Sequence, residues 1–153
     1  MTVATYADLA QADAHHAARG RAVWADADAG RRLAALVEAT AHIDAFHDFI
    51  GQPADPGQPL AWPRVATGIG LDGVAVPAPV AQACIELALA ALDRPLAEQA
   101  AGGAARRLTL GDIAIDYGET PGEAAGAGGA LALAARLLAP LAPVRHRRRL
   151  VRT

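Results

Sequence analysis

Two apolar stretches limit what this chain can fold into, because each repeats its larger side chains at helical spacing and each is closed by a residue that ends a helix. In RRLAALVEATAHIDAFHDFIG, residues 31–51, Leu33, Leu36, Val37, Ile43, Phe46 and Ile50 recur mostly at steps of three and four, with Gly51 just past the end. The spacing predicts a helix over 29–50. In PAPVAQACIELALAALDRP, residues 77–95, Val80, Cys84, Leu87, Ala88 and Ala91 make one apolar face; Pro77 and Pro79 suit a first turn and Pro95 stops the helix. Between them, residues 51–79 carry five prolines before Ala78 and repeated glycines, which bars any long regular element. A long ordered connection or an exposed loop is expected there.

The flanks add shorter elements. Thr5 and Asp8 have the spacing of a capping box, opening a helix over 6–19 that Gly20 closes. AEQAAGGAA, residues 97–105, reads as a linker. In RLTLGDIAIDYG, residues 107–118, apolar positions alternate about a Gly111-Asp112 centre, which predicts a β-hairpin over about 106–117. A lone hairpin is marginal in water, so Leu108, Leu110, Ile113 and Ile115 are candidate contacts to the helices or to a neighbouring subunit. A further helix runs from Gly129 to Ala139, before Pro140. The expected fold is mainly α: a small bundle of about four helices with one short β-hairpin and an extended C-terminal tail.

Charge divides the chain in two. It carries 14 basic and 16 acidic side chains, yet Arg145, Arg147, Arg148, Arg149 and Arg152 lie in the last nine residues, RHRRRLVRT, with no acid after Glu123. Without those five arginines, nine basic residues face 16 acidic ones, a body of about −7 beside a tail of about +5. The boundaries expected are therefore a helical domain over 1–144 and a basic tail over 145–153. At 153 residues the chain fits one domain. There is no lysine, and Cys84 is the sole cysteine, so no intrachain disulfide can form and a reducing, intracellular site of synthesis is expected. The opening MTVATYADLAQADAHH lacks a signal-peptide pattern, and no stretch reaches the roughly 18 apolar residues of a membrane span, so a soluble protein is expected.

Catalytic readings fail on specifics. IAIDYGETPGEAAGAGGALALAA, residues 113–135, orders a strand, glycines and a helix, but the GxGxxG pattern from Gly126 meets Leu131, and a phosphate loop needs a lysine. A flexible linker is the better reading. His15 and His16 are adjacent and point to different helix faces; His42 and His47 are five apart, a poor pair for one metal. Surface or partly buried positions are expected for these, with His47 near an apolar face. Asp44, Asp48 and Asp55 read as solvated acids, and Cys84 as a small buried hydrophobe. No catalytic residue, metal or cofactor is expected. PLAWPR, residues 59–64, offers Trp62, Pro63 and Arg64 as a loop anchor or subunit contact. The tail reads as a solvated end, a nucleic-acid arm or a docking peptide, and Leu150 and Val151 within the arginines favour docking.

YADLAQADAHHAARG, ALVEATAHID, QPLAWPR, VPAPVAQACIELALA and LTLGDIAIDYG together resemble the head-tail adaptor (connector) proteins of long-tailed double-stranded-DNA phages, some of which carry a DnaT-like single-stranded-DNA-binding label. The resemblance covers about residues 6–141. It implies a virion protein of the neck, made in the host cytoplasm. Such a protein forms a homo-oligomeric ring of twelve copies that docks on the portal protein, extends the DNA channel and offers a platform for stopper or tail-completion proteins. It also implies that Arg145, Arg147, Arg148, Arg149, Leu150, Val151 and Arg152 anchor the ring to the portal, with non-specific contact to packaged double-stranded DNA and none to a membrane. A single-stranded-DNA-binding module is the alternative, and an assembly factor absent from the finished particle is a third reading.

Overall fold

Asp8 opens the first helix, α1 (Leu9–Ala17). Its carboxylate accepts from the Gln11 amide at 2.7 Å and the Gln11 side chain caps Asp8 in return at 3.0 Å, a reciprocal arrangement worth about 1 kcal/mol. The structure is a computed structural model that describes residues 4–105, 107–110, 113–116 and 127–143, with side chains for 4–101 and 129–143. The capping box is thus Asp8–Gln11 rather than Thr5–Asp8, and α1 is shorter than the expected 6–19. Gly20, at φ +62°, follows its end.

A short helix that the sequence did not announce, α2 (Ala22–Asp26), hangs on the buried Trp24. α3 (Ala29–Phe46) is capped by the Asp28 carboxylate, which accepts from the Arg31 amide at 2.9 Å. It ends four residues before the expected Ile50. Leu36 and Ile43 are fully buried, whereas Leu33 and Phe46 are exposed, so the buried stripe is completed by Ala35, Ala39, Thr40 and His42. Small side chains on this stripe let neighbouring helices approach closely.

The proline-rich connection is not free of regular structure. It folds into a three-stranded antiparallel sheet in sequence order: β1 (Gln52–Pro53), β2 (Arg64–Ala66) and β3 (Leu71–Asp72). Gln52 faces Val65, and Val65 faces Asp72. Gly51, at φ +75°, admits this packing: a Cβ there would lie 2.2 Å from the Val65 carbonyl oxygen.

α4 (Ala78–Asp93) is the centre of the molecule, packed between α3 and α6 (Ala127–Leu138). Val80, Ala83, Cys84, Ile85, Glu86, Leu87, Ala88 and Ala90 are all buried, more than the single face expected. A helix apolar nearly all round belongs inside a core. The presumed linker 97–105 is helical instead, as α5 (Leu96–Ala105). Pro95 supplies the first helical acceptor, and the Leu96 amide donates to the Glu38 carboxylate at 2.6 Å, a cap provided from another helix. β4 (Arg107–Leu110) and β5 (Ile113–Asp116) pair antiparallel with Leu108 opposite Ile115 and Leu110 opposite Ile113, as the hairpin reading requires. α6 passes into a 3₁₀ turn, Ala139–Leu141, whose Leu141 carbonyl accepts from the Ile50 amide at 2.9 Å. Among the described residues the fold is mainly helical, with six α-helices rather than about four. Among the described residues no helix is long and apolar enough to cross a membrane.

Candidate interaction surfaces

The PLAWPR segment is fastened to the body by a small polar cluster. Trp62 is 2% exposed and meets Phe49 edge-on at 5.2 Å between ring centroids. Its peptide bond to Pro63 is cis. The Trp62 amide donates to the Tyr6 hydroxyl oxygen at 3.3 Å, the Tyr6 hydroxyl donates to the Asp44 carboxylate, and the other Asp44 oxygen accepts from the Ala61 amide at 3.1 Å. Burial first, then the hydrogen bond and negative charge of Asp44, push the Tyr6 phenol far above its ordinary range. Asp44, expected to be a solvated acid, is a structural acceptor joining three segments.

Arg64 closes the same junction from the other side. Its guanidinium donates to the carbonyls of Ile50 at 2.9 Å, Ala61 at 3.2 Å, Phe49 at 3.3 Å and Gly51 at 2.6 Å. These carbonyls lie past the end of α3 and in the loop, where no helical amide can reach them. The planar fork of donors suits four fixed acceptors in a way an ammonium would not. Trp62 and Arg64 therefore face the body of their own chain.

The adjacent histidines have different fates. His16 is 1% exposed, its ring 4.6 Å from that of Trp24, with Nε2 donating to the Ile85 carbonyl at 3.2 Å. Burial lowers its pKa, so the neutral ring is the folded form. This corrects the expectation of a surface or partly buried position. His15 turns to Glu86 at 2.8 Å, and Arg19 stands 4.0 Å from the same carboxylate oxygen, so a buried acid on α4 is matched from α1 and the turn that follows it. Nothing in the sequence signalled that pairing, because it depends on how two distant helices cross.

A groove of about 560 Å³ opens beside this cluster, lined among others by Arg21 and Val23 of the α2 region, Glu86 and Asp93 of α4, and Leu133 of α6. At the opposite end of α3, His42 stacks on the exposed Phe46 at 4.5 Å, and His47 stacks on Phe49 at 6.5 Å. Burial lowers the pKa of both histidines. Cys84 is buried and its thiol pKa is raised by burial, in keeping with a packing role. Among the described residues no three His, Cys, Asp or Glu side chains gather as a metal site.

The remaining candidates fall where side chains are not described. The tail residues Arg145, Arg147, Arg148, Arg149, Leu150, Val151 and Arg152 lie outside the described residues, and the hairpin positions 108, 110, 113 and 115 are placed by backbone pairing alone.

The described residues thus form a small helical body carrying a three-stranded loop platform fastened by Tyr6, Asp44 and Arg64. Residues 2–153 match the family described as "Putative DnaT-like ssDNA binding protein", and the chain belongs to that family. No curated protein and no solved structure matches it.

Proposed function

We propose that the chain is a structural head-tail adaptor of a long-tailed phage, a non-enzymatic ring subunit that docks on the portal through its basic tail. The observation that carries this reading is the division of charge, about −7 over residues 1–144 against about +5 over the last nine. A cationic end segment bearing Leu150 and Val151 is suited to ordering on an acidic partner, and copies in a ring multiply a weak contact through effective concentration. Bidentate arginine–carboxylate pairs would fix register while the two aliphatic side chains fill pockets. The resemblance of QPLAWPR and VPAPVAQACIELALA to the adaptor proteins supports the same assignment. Deleting residues 145–153 and measuring co-sedimentation with the portal is the test. Loss of binding with unchanged helicity is expected, and retained binding overturns the anchoring role.

The family description favours a second reading, a single-stranded-DNA-binding module. Such modules stack bases on exposed aromatic rings along a basic groove. Of the Trp, Tyr and Phe side chains described, Tyr6, Trp24, Phe49 and Trp62 are buried, and Phe46, 61% exposed, is the one ring available. The body around it is acidic. Fluorescence titration of the tail-less protein with oligonucleotides at two salt concentrations separates the readings: tight, steeply salt-dependent binding would favour the second.

A further inference from the structure

Between Ala45 and Ile85 the charged side chains are Asp48, Asp55, Arg64 and Asp72, and the guanidinium of Arg64 is committed to four backbone carbonyls. The sheet and its turns thus carry Asp55 and Asp72, and the one arginine of this segment is spent on backbone carbonyls. The same segment holds Val65, Ile69 and Val74, exposed by 42, 52 and 80%. Val65 and Val74 are neighbours of the acids. Val65 pairs with Asp72 across the sheet, the Asp72 carboxylate accepts from the Val74 amide at 3.0 Å, and the Val65 side chain lies against Gly73 and near Ala54, next to Asp55. The carboxylate of Asp55 accepts one local bond, from the Gly57 amide at 2.8 Å. Both carboxylates keep lone pairs for further donors.

The end of the described chain lies near the start of this sheet. The Leu141 carbonyl is bonded to the Ile50 amide, two residues before β1. The ten residues after Pro143 can span up to about 33 Å, several times the width of a three-stranded sheet. Their sequence, VRHRRRLVRT, is the complement of the face: arginines for carboxylates, and Leu150 and Val151 for an exposed aliphatic cluster.

We infer that the basic tail, residues 145–153, docks on the β1–β2–β3 face of its own chain, with arginines on Asp55 and Asp72 and Leu150 and Val151 on Val65, Ile69 and Val74. Attachment ten residues away gives the contact a millimolar-range effective concentration that weak exposed ion pairs need. This deepens the adaptor reading and rests on it for its consequence: the portal must take the tail from this resting site, so tails are held back until a portal is met.

The test uses the full chain. Thr153→Cys adds one reactive thiol beside the buried Cys84, and a spin label there broadens nearby backbone amide signals. Broadening concentrated at residues 65–74 is expected. Asp55→Asn with Asp72→Asn should lower the docked-to-free ratio about three- to tenfold, as two exposed ion pairs would, and added salt should do the same. Asp26→Asn, in α2, should leave it unchanged. Broadening centred on the α2–α4–α6 groove, or spread evenly, overturns the inference. So does broadening of an unlabelled, isotope-enriched copy by a labelled one, which would mean docking on a second molecule. No portal is present in the experiment, so its failure is read separately from failure of portal binding.

Discussion

Arg64 holds more of the loop than any other single side chain, and its replacement gives the clearest residue-scale test. Arg64→Met removes the donors from four carbonyls that helix geometry cannot satisfy, and a stability loss of about 2–4 kcal/mol is expected in urea unfolding. Arg64→Lys should recover only a minor part, since one ammonium cannot reach the same set. Tyr6→Phe removes the hydroxyl between Asp44 and the Trp62 amide and should cost about 1–2 kcal/mol in the same assay. The sequence showed that PLAWPR is distinctive and that Trp62 suits an anchor. It could not show that Asp44 and Tyr6, 17 and 56 residues from the positions they hold, complete the junction, because isolated polar residues on helices look solvated until a partner is placed on them.

At the scale of elements, α4 should be the least tolerant segment. Leu87→Ala empties a fully buried site and should cost about 2–5 kcal/mol, whereas Leu33→Ala on α3, 41% exposed, should cost less than about 1 kcal/mol; thermal unfolding of the pair checks the contrast. α3, α4 and α6 were legible because each repeats apolar residues over three turns or more, long enough for a period to register. α2 has five residues, too few for a period, and is held by one indole. α5 was misread because Gly102 and Gly103 each disfavour a helix by about 1 kcal/mol, while the compensating partners are tertiary: Glu38 on the Leu96 amide, and the Gln99 side chain on the Ala90 carbonyl at 3.0 Å. The three strands have two or three residues each, below the length at which alternation is visible. Their pairing is set by the Arg64 junction and the positive φ of Gly51, Gly68, Gly70 and Gly73.

For the whole molecule, His16, His42 and His47 set a common pH response. All three have pKa values lowered from 6.5 by burial, so the unfolded chain binds more protons than the folded one below about that value. Their contribution is full above pH 6.5 and is lost as pH falls from there towards the folded-state values. Urea midpoints should therefore drop between pH 7.5 and pH 5, and His16→Gln, which keeps a donor for the Ile85 carbonyl, should shallow the slope. The contrast of charge along the chain is read from the sequence, whereas the placement of Leu141 beside Ile50 needed the fold. The junction at residues 60–64 has one further implication. It rivets the connection at its base, and the turn around Gly68 and Gly70, with nothing within 4 Å of either would-be Cβ, stands clear of the helices. A lineage can therefore vary the exposed Thr67 and Ile69 to match a new neighbour while the junction, with Gly68 and Gly70 at positive φ, keeps the fold.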